Sequence, residues 1–133
     1  MHKLITITAM NIHTLTHVRD SLLALHTALL EYQKEQYEQD NTRIASPSQY
    51  FQIVTTSPTF AWLRELSELI VSLDELCDEP TAVDERKAME LIAYTKKLLD
   101  ASSNTEFGTK YQKALHSSPA VALKHGAVSM LLV

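Results

Sequence analysis

The sequence predicts an all-α fold, a four-helix-bundle-like set of up-and-down arms, two of them broken near Pro58 and Pro119. Three observations carry that prediction. Gly occurs only twice and Pro four times in 133 residues, which leaves few of the turn residues a sheet protein needs. Apolar residues recur three and four apart over long stretches, the period of one helix face. Three Ser-Pro pairs, beginning at Ser46, Ser57 and Ser118, join a favoured N-cap residue to proline at the first helical position, where its missing N–H is no loss.

Residues 1–10 read as an extended arm or tail, because the β-branched run from Leu4 to Thr8 has no partner strand to pair with. Residues 11–133 read as one bundle domain. From about Asn11 to Asp40, Leu15, Val18, Leu22, Leu25, Leu29 and Tyr32 draw a stripe of nearly three heptads, widened by Leu23, Leu30 and Tyr37. The end of that helix, EYQKEQYEQDNTR, is so polar that it is expected to project beyond the core or to lie under a partner.

Ser46 with Gln49 three residues on is a capping box for a short helix to Thr55 carrying Tyr50, Phe51, Ile53 and Val54. Ser57 then opens the stretch expected to organise the molecule, a helix to Cys77. Phe60, Leu63, Leu66, Leu69, Ile70, Leu73 and Leu76 form its broad apolar stripe. A helix from about Thr81 to Ala101 buries Val83, Ala88, Leu91, Ile92, Leu98 and Leu99. Its terminal Lys96 and Lys97 complement the helix dipole. Ser102-Ser103-Asn104 reads as a turn and cap before a helix from Thr105 to His116, and Ser118-Pro119 starts the last helix, Ala120 to Leu132.

Composition narrows function mainly by exclusion. The net charge is −4, with 11 acids against 5 Lys/Arg in residues 1–80 and 5 against 7 in residues 81–133. A chain without a basic stripe is a poor nucleic-acid ligand, because phosphate neutralisation needs clustered Lys/Arg. The asymmetry suits packing of one half on the other, or pairing of protomers. No apolar run reaches the length of a membrane span. A single cysteine fits a reducing cytoplasm, and no cleavable secretion signal follows MHKLITITAM.

Few residues invite chemistry. His13 and His17, with Asp20 three further on, share a helix face and form a metal-capable set. Two or three ligands are not a site, and the bland alternative is exposed histidines near a helix start. No Glu-x-x-His of the di-iron bundles occurs, and no cofactor is predicted. His26, beside Leu22, Leu29 and Leu30, reads as a part-buried histidine with one hydrogen bond. His116 and His125 flank the Pro119 break, and spacing does not say whether they meet. Glu31, Glu35 and Glu38 form an acidic edge that reads as solvated surface. Cys77 lies on the apolar stripe between Asp74 and Asp78, a poor setting for a nucleophile. Trp62, Phe60, Tyr50 and Phe51 cluster around Pro58 as either a core corner or a groove for an apolar ligand or partner helix.

The stretch Leu22 to Leu76, above all Ser57-Pro-Thr-Phe-Ala-Trp-Leu-Arg-Glu-Leu-Ser67, resembles a family of small, uncharacterised all-helical proteins from proteobacteria. The resemblance implies a cytoplasmic bacterial helical protein and brings no activity, cofactor or catalytic residue. The balance points away from an enzyme. The leading expectation is a bundle acting through protein–protein contact, itself included as a homodimer. The rival is a bundle that binds a small ligand or metal.

Overall fold

The computed structural model describes residues 12–78, 84–100 and 104–132. The expected N-terminal arm, Thr81 to Val83 and Ala101 of the expected helix, and Ser102 and Ser103 of the expected turn lie outside them. The described residues form six α-helices and one 3-10 segment, with no strand among them. In chain order these are α1 (Ile12–Asp40), α2 (Pro47–Thr56), the 3-10 segment (Pro58–Leu63), α3 (Arg64–Cys77), α4 (Glu85–Leu98), α5 (Glu106–Ser117) and α6 (Pro119–Leu131).

Side chains set most starts. Ser46 Oγ accepts from the Gln49 N–H at 3.1 Å, Ser57 Oγ from Thr59 at 3.3 Å and Ser118 Oγ from Val121 at 3.2 Å. Gln49 Oε1 answers with a bond from the Ala45 N–H, one residue ahead of the cap. Asp84 and Thr105 cap α4 and α5 in the same way, accepting from Lys87 and Gly108. Each cap satisfies a backbone donor that has no partner inside its helix.

One boundary differs from expectation. The chain after Ser57 begins as a 3-10 turn and only becomes α-helical at Arg64. α4 begins at Glu85 with the carboxylate of Asp84 as its cap; the expected start near Thr81 lies outside the described residues.

The centre of the bundle is α1, not the stretch from Ser57 to Cys77. α1 packs along α6 on one side and α3 on the other, α4 lies on α3, and α5 lies on α6 and the 3-10 segment. At 29 residues α1 is about 43 Å long, enough to serve both flanks. Its stripe of Leu15, Val18, Leu22, Leu25 and Leu29 is wholly buried, as are Leu66 and Leu73 of α3 facing into the same core. Of the polar stretch at the end of α1, Tyr32 and Gln33 are buried beneath the 3-10 segment, while Gln39 to Arg43 are exposed.

Candidate functional site

The aromatic residues around Pro58 do not form one cluster. In a 3-10 turn the side chains of Phe60 and Leu63 eclipse, while Trp62 points elsewhere. Phe60 accordingly meets Tyr37 and Tyr50, with ring centroids 6.1 and 6.3 Å apart. Lys34 Nζ lies 5.2 Å over the Tyr50 ring on the same side. Trp62 turns to the opposite side and heads a second row, Trp62–Phe107–Tyr111–His125, with successive centroids 5.3, 5.5 and 5.5 Å apart. Phe51 joins neither and stands 71% exposed.

Each row borders a cleft. Phe60, Leu30, Val54 and Leu63 line one of about 260 Å³ that also holds His26 and Ser67. His26 Nε2 lies 2.8 Å from Ser67 Oγ, and that hydroxyl donates to the Leu63 carbonyl at 3.2 Å. With its proton so placed, Ser67 accepts from the imidazole rather than yielding a proton to it. No described carboxylate orients the other ring nitrogen. The arrangement therefore lacks the base that an activated serine needs. Burial lowers the His26 pKa, which keeps the ring neutral in this bond.

The second cleft, about 290 Å³, lies between the end of α1, the 3-10 segment and α5. Its wall holds Gln33, Trp62, Thr59, Asp40, Lys110 and Lys113. Trp62 is 4% exposed and donates its indole N–H to Gln33 Oε1 at 2.8 Å. Gln33, itself 9% exposed, is one of two buried polar side chains among the described residues. The other, Thr95, donates to the Leu91 carbonyl.

Beyond the aromatic row, Tyr111 Oη lies 2.6 Å from His125 Nδ1, and Ser129 Oγ lies 3.4 Å from Nε2. Burial pushes the Tyr111 phenol far up and the His125 imidazole down. Tyr111 thus stays protonated beside a neutral ring.

His13, His17 and Asp20 are exposed on the first turns of α1. Asp20 pairs with Arg19, which reaches across to Asp74 of α3 at 2.9 Å. Among the described residues no group of three or more His, Cys, Asp or Glu is placed to hold a metal ion. His116 is exposed at the end of α5, apart from the Tyr111–His125 pair. Cys77 is a half-buried free thiol 3.9 Å from Thr16 Oγ1.

One surface escaped sequence reasoning altogether. α6 carries only three polar side chains after its proline, Lys124, His125 and Ser129. A helix apolar on nearly all sides belongs in a fully covered place. Here only the face of Val121 and Val128 is buried. On the opposite face Leu123 and Met130 are 71% and 79% exposed, and Gly126 and Ala127 sit between them. The signal lies in α6's own sequence, which has no polar face.

No protein-family model matches this chain, and neither a curated protein nor a solved structure shows significant similarity to it. Among the described residues, no helix is long and apolar enough to cross a membrane.

Proposed function

We propose that this protein acts by contact, as a helical bundle that pairs with a second copy of itself through the outer face of α6. The observation that carries this reading is the uncovered apolar side of α6. At 3.6 residues per turn, Leu123 and Met130 project within about 20° of one another. Exposed apolar side chains aligned in this way mark contact surfaces.

The order of residues favours a second copy over an unrelated partner. A two-fold pairing requires a self-complementary patch. About a point between Gly126 and Ala127, an antiparallel copy brings Leu123 of one chain to Met130 of the other, and the two small residues to the crossing. A Cβ built on Gly126 meets nothing within 4 Å, so nothing among the described residues of one chain calls for glycine. A glycine inside a helix is destabilising by roughly 0.5–1 kcal/mol relative to alanine. Close approach of another helix gives it a use, since small residues let axes come to the lower end of about 8–10 Å. A single cysteine in the chain supports a reducing cytoplasm as the setting.

Sedimentation equilibrium over a concentration series tests the pairing. The expected result is a reversible rise to the mass of two chains. Leu123→Glu and Met130→Lys should each give monomers with unchanged helical circular dichroism, and their equimolar mixture should recover the pair. A monomer at every concentration overturns the proposal. So does a dimer indifferent to both substitutions.

A further inference from the structure

We infer that the cleft between the end of α1, the 3-10 segment and α5 is a binding site for a small organic oxyanion, a carboxylate or a phosphate. The argument begins with the Trp62–Gln33 bond. An indole nitrogen can only donate, so the carboxamide atom facing it at 2.8 Å is the oxygen. The planar amide then presents its NH₂ group away from Trp62. That group has no acceptor among the described residues. No buried side-chain nitrogen or oxygen among them lacks a partner, so the amide nitrogen keeps some exposure, and Gln33 is part of the cleft wall. The fold thus holds a fixed, nearly buried donor pair at the wall of a cavity.

The surrounding charges set the sign of the ligand. Lys110 and Lys113, one turn apart on α5, line the same cleft against a single acid, Asp40. Lys110 also lies 3.7 Å from Glu106, a contact exposed enough to count for little. Two ammonium groups and an amide NH₂ are the donors an oxyanion takes in charge-assisted bonds. The volume, about 290 Å³, sits at the lower end of small-molecule pockets. The Trp62 ring gives the apolar wall that such pockets share.

The chain contains one tryptophan, and it lines this cleft, so its emission reports on the site. The test titrates the full-length protein with sodium malonate and with sodium phosphate, each against sodium chloride at equal ionic strength, following Trp62 fluorescence and calorimetric heat. The expected result is saturable binding of at least one oxyanion; malonate alone marks a carboxylate site, phosphate alone a phosphate site. Lys110→Gln with Lys113→Gln should weaken binding by about tenfold or more, the scale of a lost charge-assisted bond. Gln33→Glu keeps the acceptor for Trp62 but replaces the donor pair with negative charge, and should abolish binding while thermal melts stay cooperative. Absence of both saturable emission and saturable heat for both anions overturns the inference. Binding undiminished in the double lysine variant overturns it equally.

Discussion

His26 and His125 each hold a neutral ring against a hydroxyl. His26 contacts Ser67 at 2.8 Å, and His125 contacts Tyr111 at 2.6 Å. Burial lowers both pKa values from the ordinary imidazole value, so the unfolded chain binds protons that the folded one refuses. The stability these rings contribute is complete above about pH 6.5, the unfolded value. It is lost as pH falls through the folded values, and levels off below them. Protonating His125 would place a hydrogen on both ring nitrogens, so that neither could accept from the Tyr111 hydroxyl. Urea unfolding at a series of pH values should show a decline beginning below about pH 6.5, well before ordinary carboxylates titrate near pH 4. A double variant, His26→Gln with His125→Gln, should flatten that part of the curve. A decline of equal size in the variant would locate the protons elsewhere.

At the scale of elements, the caps were the most legible feature, because a Ser-Pro pair acts through its own neighbours and needs no tertiary partner. All three serines accept backbone bonds. The apolar stripe of α1 was equally plain, since period alone defines it. What followed Ser57 was not. The same cap opens an α-helix or a 3-10 turn, and the choice rests on where Phe60 and Trp62 find room, one beside Tyr50 and the other beside Phe107. Residues two apart on a helix do not face each other, and that spacing alone argued against one aromatic cluster. Gln33 was illegible because its value depends on an indole 29 positions away. α6 offers a test at this scale that separates the chain's own stability from its pairing. Gly126→Ala gains helix propensity and meets no clash. The monomer should therefore be more stable by about 0.5–1 kcal/mol, seen in melts at low concentration, while sedimentation shows weaker pairing. A variant that pairs as tightly as the parent would remove Gly126 from the crossing.

For the whole molecule, the central position of α1 ties together what the charge pattern divides. The acid-rich first part of the chain supplies α1 and α3, and the lysine-bearing second part supplies α5 and α6. The two meet along α1, where Asp40 shares a cleft wall with Lys110 and Lys113. Since α1 packs on both α3 and α6, loosening it should release both flanks together rather than one at a time. Leu22 and Leu23 are adjacent in sequence, yet Leu22 is fully buried and Leu23 is exposed. Leu22→Ala should cost about 2–5 kcal/mol, the transfer and cavity terms of a buried leucine. Leu23→Ala should stay within about 0.5 kcal/mol. Urea unfolding of the Leu22 variant, followed by far-ultraviolet circular dichroism and by Trp62 emission, should give one coincident transition at lower denaturant. The dichroism reports every helix, whereas Trp62 reports the junction of α1 with the 3-10 segment and α5. If the two probes separate, with Trp62 released before the bulk of the helix, then α1 does not couple the flanks and the bundle is two weakly joined halves.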